Sequence, residues 1–178
     1  MKRVLMAFFA ILAIQGCSGM QPEDFAGQEP ELDLFEYFDG QTQAWGWFED
    51  RFGTVRRQFH VSISGTIDDG VLTLDEDFTY RDGERSKRVW RIRKDGKSGY
   101  AGEADDVIGR ATGRVSGNAL NWRYTLALPI GDNVWHVQFD DWMFLQENGI
   151  LLNRAVVRKW GLELGRVSIF FSKGKDVS

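Results

Sequence analysis

Few side chains of this 178-residue chain stand where their type and spacing could do chemistry. They are one cysteine, Cys17; two histidines, His60 and His136; and two carboxylates set among apolar neighbours, Glu76 and Asp141. Cys17 has no second thiol and no ligand-spaced companions, so neither a disulfide nor a metal claims it. The histidines stand apart, without an HExxH motif, which argues against a zinc site. "SISG" at 62–65 lacks the leading glycine of a nucleophile elbow, and neither GxGxxG nor a phosphate-binding loop occurs. The acid pairs Asp105-Asp106 and Asp140-Asp141 cannot flank one bond, because adjacent strand residues point to opposite faces. The expectation is a non-enzymatic protein with no cofactor and no metal. Carboxylates converging from different strands are the remaining route to a hydrolase.

If strand alternation runs without a bulge, Glu76 shares the face of Leu74 and Phe78, and Asp141 that of Phe139 and Met143. A carboxylate buried there needs a partner, since unpaired charge in an apolar interior is costly or shifts its pKa until it is neutral. Arg88, beside Trp90 and Ile92, is a candidate. Two readings stay open. One is a polar cluster that receives a ligand head group or acts as a catalytic carboxylate. The other is a structural ion pair, or a bulge that turns the acids outward, as runs such as Asp75-Glu76-Asp77 suit.

Cys17 follows Lys2, Arg3 and the apolar run 4–14, the layout of a secretory signal. The run is too short to span a bilayer, which takes about 20 apolar residues. Ile14-Gln15-Gly16-Cys17 resembles the bacterial lipobox, in which the cysteine is acylated and becomes the first residue; Gln15 departs from the small or aliphatic residue usual there. The expected organisation is a signal peptide over 1–16, an acylated cysteine and flexible tether over 17–33, and one domain over 34–178. Pro22 and Pro30 and the polar composition carry the tether reading. If the cell has two membranes, Ser18, not being Asp, implies the periplasmic face of the outer one. The chain has 26 acidic against 22 basic side chains, a balance that argues against nucleic acid.

Beyond the tether, turn signals recur at Asp69-Gly70, Asp82-Gly83, Asp95-Gly96, Gly117-Asn118, Asp132-Asn133 and Asn148-Gly149. Segments of strand length lie between them, and several alternate with period two. Their apolar faces include Val61, Ile63 and Ile67; Trp122, Tyr124, Leu126 and Leu128; and Trp135, Val137 and Phe139. Consecutive hairpins without long crossovers predict an all-β fold, an antiparallel up-and-down, lipocalin-like β-barrel of 8–10 strands, with a sandwich as its rival. A short helix is expected within Leu32–Phe38. Gly99, Ala101, Gly102, Ala104, Gly109 and Gly113 present little bulk, which either leaves space inside the barrel or lets its strands bend. The basic segment 85–94 either faces anionic lipid or pairs with Asp75, Glu76 and Asp77 across a hairpin.

The phrases "FDGQTQAWGWFEDRFG", "LTLDEDFTYRDGE", "GNALNWRYTLALP", "DDWMFLQ" and "LLNRAVVRKWG" resemble a family of bacterial lipoproteins known only as a domain of unknown function. The resemblance covers roughly Leu32 to Phe171. It implies a lipobox, an envelope address and a lipocalin-like barrel, and it carries no catalytic residues. A barrel of this size either fills with side chains or holds one small apolar ligand. The expectation is a membrane-anchored carrier of a lipid or other amphipathic molecule, gripped by Glu76, Arg88 and Asp141 near the mouth and walled by Trp90, Trp122, Tyr124 and Trp135. The alternative is a filled barrel that works in envelope assembly or protein contacts through Trp45 and Trp47.

Overall fold

The structure, a computed structural model, describes residues 19–173. The expected signal peptide over 1–16 and Cys17, the expected acylation site, lie outside them. Ten antiparallel strands form the body: β1 (Gly40–Asp50), β2 (Val55–Asp68), β3 (Val71–Tyr80), β4 (Arg85–Lys94), β5 (Gly99–Glu103), β6 (Ala111–Ser116), β7 (Ala119–Ile130), β8 (Asn133–Leu145), β9 (Ile150–Lys159) and β10 (Leu162–Lys173). Each strand pairs with its sequence neighbours, and β1 pairs with β10 to close the barrel. The hairpins form where the turn residues allow them. Between β2 and β3, Asp69 and Gly70 both take positive φ, 45° and 70°, the geometry whose twist matches a two-residue hairpin.

Closure gives the barrel an apolar inside and a polar outside, so alternating residues are buried wherever a strand crosses the middle of the barrel. Val61 and Ile63 on β2, Leu72 and Leu74 on β3, and Trp90 and Ile92 on β4 all lie inside. Ile67 and Leu128, expected on the same faces, are 44% and 36% exposed. Both sit near strand ends, beyond the reach of the core.

One end of the barrel is plugged. The helix α1 (Leu34–Phe38) starts at Asp33, whose carboxylate accepts N–H bonds from Phe35 and Glu36, an N-cap. Leu34, Phe35, Tyr37 and Phe38 are buried. The Leu34 N–H donates to the Tyr100 hydroxyl at 3.2 Å, and the Tyr37 hydroxyl donates to the Gly149 carbonyl at 2.9 Å. Gly65 is required beneath the plug, because a Cβ there would collide with the Phe38 carbonyl.

The stretch expected as a flexible tether is, from the buried Pro22 on, packed against the barrel. Phe25 lies on Trp142 and Phe144, with ring centroids 5.8 and 5.2 Å away. Glu23 pairs with Arg114 at 2.9 Å, and the Leu32 N–H donates to the Gly117 carbonyl. Apolar residues hidden among prolines and acids make these contacts, which composition alone obscured.

The small residues of β5 and β6 do not leave space. The Trp122 indole lies over Gly102 and Gly113; a Cβ at Gly102 would come within 2.7 Å of the ring. Strands β5 and β6 are also short, and the loop between them fills the gap they leave. Val107 bridges to Leu126, and the Ile108 N–H donates to the Thr125 carbonyl. That loop carries Asp106 toward the interior.

Candidate functional site

The barrel is neither solid nor wholly open. A cavity of about 210 Å³ runs from the plug residues Leu34 and Phe38 into the middle of the barrel. It is smaller than the roughly 300–1,000 Å³ usual for ligand pockets. The walls are aliphatic and aromatic, with four polar exceptions: Glu76, Arg88, Asp141 and Asn153. Toward the other end of the barrel, Leu126, Val137 and Val157 form a second apolar cluster with Phe48, Trp135 and Leu164 around them.

Regular pairing settles which way the acids point. Strands β3 and β8 keep an unbroken register through Glu76 and Asp141; the register shifts lie elsewhere, at Phe48/Glu49 and Glu163/Gly165. With no bulge to rotate them, both acids face inward. Glu76 stands opposite Arg88 across the β3–β4 pair, and Asp141 opposite Trp122 across β7–β8. Along β3, Phe78 and Tyr80 separate Glu76 from the next turn. The polar groups are therefore mid-barrel rather than at the mouth, where the sequence reading put them.

Arg88 makes its ion pair with Asp106. Its Nε and Nη2 donate to one carboxylate oxygen at 3.0 and 2.7 Å. Burial opposes the guanidinium charge, but Tyr124, Glu76 and Asp106 around it hold Arg88 firmly protonated. Burial pushes the Glu76 carboxyl up to about 7 despite Arg88. Burial and the charge of Asp140 push Asp141 up to about 8. Burial also raises the Tyr124 hydroxyl well above its usual value. At neutral pH Asp141 is mostly protonated and Glu76 is divided between its two forms.

Six of the seven expected site residues, Glu76, Arg88, Trp90, Trp122, Tyr124 and Asp141, line the one cavity. Trp135 does not. It lies in the second cluster, with the Lys159 ammonium 3.9 Å above its ring. The inner-face phase was right, but Trp135 is too far along β8 to reach the cavity. Sequence reasoning missed two residues. Asp106 comes from a loop whose placement no periodicity predicts. Asn153 was legible: in Leu151-Asn153-Ala155-Val157 it interrupts an inward face as Glu76 and Asp141 do.

The basic strand β4 divides between its faces. Lys87 pairs with Asp77 at 2.9 Å on the outside, while Arg91 and Arg93 are exposed. Among the described residues, no group of three or more His, Cys, Asp or Glu is placed to hold a metal ion, and no helix is long and apolar enough to cross a membrane.

The sequence pattern of the family described as "Protein of unknown function (DUF3833)" matches residues 11–173, nearly the whole chain. The chain belongs to this family. No curated protein matches it. Family membership agrees with the resemblance read from the sequence phrases, and the ten-strand barrel is compatible with a lipocalin-like fold.

Proposed function

We propose that this member of the DUF3833 family is a ligand-binding barrel, held at a membrane by acyl chains on Cys17, that sequesters a lipid or other slim amphipathic molecule without catalysis. The observation that carries the reading is the cavity itself. A filled barrel would have no use for about 210 Å³ of space walled by Phe59, Phe78, Trp90, Trp122 and Phe139. Such walls exclude water from an apolar tail, and the volume suits one chain or small ring rather than a bulky two-chain lipid. The lipobox-like ending supports an envelope address on the periplasmic face of the outer membrane, in keeping with Ser18.

The test is native mass spectrometry of the full chain carrying Cys17→Ser, purified without detergent from bacterial cells, followed by organic extraction. A stoichiometric adduct that returns after delipidation and addition of envelope lipids supports carriage. A clean apo mass with no uptake rejects it.

A second reading has its own observation. Phe52 (78% exposed), Val134 (61%), Trp160 (85%) and Leu162 (63%) stand out at hairpin tips opposite the plug, and Trp47 stacks on Phe170 on the outer wall. A protein-contact role in envelope assembly would use such surfaces.

A further inference from the structure

Asp141 and Asn153 form one corner of the cavity. They lie on neighbouring strands, with Asp141 opposite Ala155 and Asn153 opposite Met143, so the two polar side chains are diagonal inward neighbours. Both are buried, at 7% and 4% exposure. Asp141 Oδ1 and both amide atoms of Asn153 make no hydrogen bond of full geometry, although Asn153 stands near enough to Asp141 to favour its charged form. Buried polar atoms are nearly always satisfied, and three orphans in one corner of an otherwise apolar cavity call for a partner from outside the chain.

The chemistry of that partner follows from what the corner offers. Asn153 presents a donor and an acceptor, and Asp141 adds a carboxyl oxygen. A carboxylate or phosphate does not fit. The lining's single cation, Arg88, already spends two N–H groups on Asp106, and the ionised form of Glu76 would repel an anion. An ammonium, which only donates, would leave the Asn153 Nδ2 donor unsatisfied and would face Arg88. A hydroxyl meets the needs of two of the three orphans at once, donating to Asp141 Oδ1 while accepting from Asn153 Nδ2, and leaves the proton of the Asp141 carboxyl as the donor at hand for Asn153 Oδ1.

We infer that the Asp141–Asn153 corner is a subsite for the hydroxyl of an otherwise apolar ligand, so that the cargo is a hydroxylated chain or alcohol rather than a free fatty acid anion. The inference rests on the ligand-binding reading above and narrows it.

The test uses the full chain with Cys17→Ser and three probes of similar length: 1-octanol, its isomer 1-methoxyheptane, which cannot donate, and octanoate at pH 7.5. Binding is read from tryptophan fluorescence, since Trp90 and Trp122 line the cavity. The subsite predicts that octanol binds about tenfold more tightly than the ether, the worth of one well-made hydrogen bond, and more tightly than octanoate. In Asn153→Leu the octanol preference should vanish while ether binding persists. Equal binding of octanol and ether, or octanoate binding best, overturns the subsite and leaves the carrier reading standing. If no probe binds, the carrier reading falls and the subsite falls with it. The comparison of probes on the chain with Asp141 and Asn153 intact decides the matter even if Asn153→Leu does not fold.

Discussion

Arg88 faces Glu76 directly across the β3–β4 pair, yet it gives its hydrogen bonds to Asp106, eighteen residues further along the chain. A single guanidinium thus ties the β5–β6 loop to the barrel and leaves Glu76 with charge nearby but no bond from it. Removing Asp106 has a definite consequence. In Asp106→Asn the guanidinium turns to Glu76, and the repulsion that raises the Glu76 carboxyl is also lost, so its pKa falls below about 7. A carbonyl-carbon NMR titration of Glu76 reads the change. No movement, or an upward one, refutes the geometry. A double-mutant cycle of Arg88→Met with Asp106→Asn should give a coupling of about 0.5–3 kcal/mol, as for residues in one ion-pair network.

The buried acids set the pH dependence of stability. Glu76 and Asp141 have folded-state values raised to about 7 and about 8, so between their unfolded values near 4 and these the folded state holds more protons. Stability therefore falls as pH rises through that window, by up to about 1.4 kcal/mol per pH unit for each group. Below pH 4 the direction reverses, because at Asp33 burial is outweighed by Lys94 and two backbone N–H groups, which hold its carboxyl low. Thermal melting should peak near pH 5 and drop by pH 8.5, with Asp141→Asn flattening the drop. A melting temperature that rises from pH 5 to 8.5 would contradict the inward placement of these acids.

Trp122 is the wedge that fills the β5–β6 side. Gly113→Ala pushes a methyl group into the indole and the Leu120 side chain, and should cost about 1–3 kcal/mol by overpacking. Trp122→Ala should cost about 3–5 kcal/mol and enlarge the cavity. The combination Gly113→Ala with Trp122→Ala should cost less than the sum of the two. Urea unfolding of the three variants checks this; strict additivity would mean the ring does not rest on Gly113.

The plug governs access from its end. Phe38→Ala removes a buried ring that packs on Phe171 at 5.6 Å and lines the cavity. The expected result is a loss of about 3–5 kcal/mol in stability together with faster uptake of 1-octanol in stopped-flow fluorescence. Lower stability with unchanged uptake would assign entry to the other end alone.

The proposed anchor is tested apart from the barrel. Cys17→Ser should move the protein from the membrane fraction to the soluble fraction and remove the acyl mass from its N-terminal peptide. An unchanged membrane fraction would reject acylation as the means of attachment.

Much of this architecture was legible because the barrel imposes period two on the chain. Aspartate and asparagine beside glycine marked hairpins, whereas the neighbours Leu74, Phe78, Phe139 and Met143 made an inward Glu76 and Asp141 one of two open readings, decided only by the unbroken register of β3 and β8. What stayed hidden depends on contacts between distant residues. Nothing local says that Trp122 lies over Gly102 and Gly113, that Phe25 docks on Trp142, or that Arg88 prefers a loop aspartate to the acid opposite it. Trp135 shows the same limit: period two gives the face of a strand, but it does not give the depth at which a ring meets a cavity.

The seam between β1 and β10 sets the order of events during folding. Every other pairing joins neighbours in sequence and can form as the chain emerges, but Thr42 meets Lys173 only when the last strand is complete. Until then β1 keeps a bare edge, with Trp45 and Trp47 beside it, long enough to recruit a stray strand from another molecule. Bringing such distant segments together is entropically slow, so the final closure is the step expected to limit the folding rate. A chaperone that shields the β1 edge would accelerate the yield of native barrel more than one that acts on any hairpin.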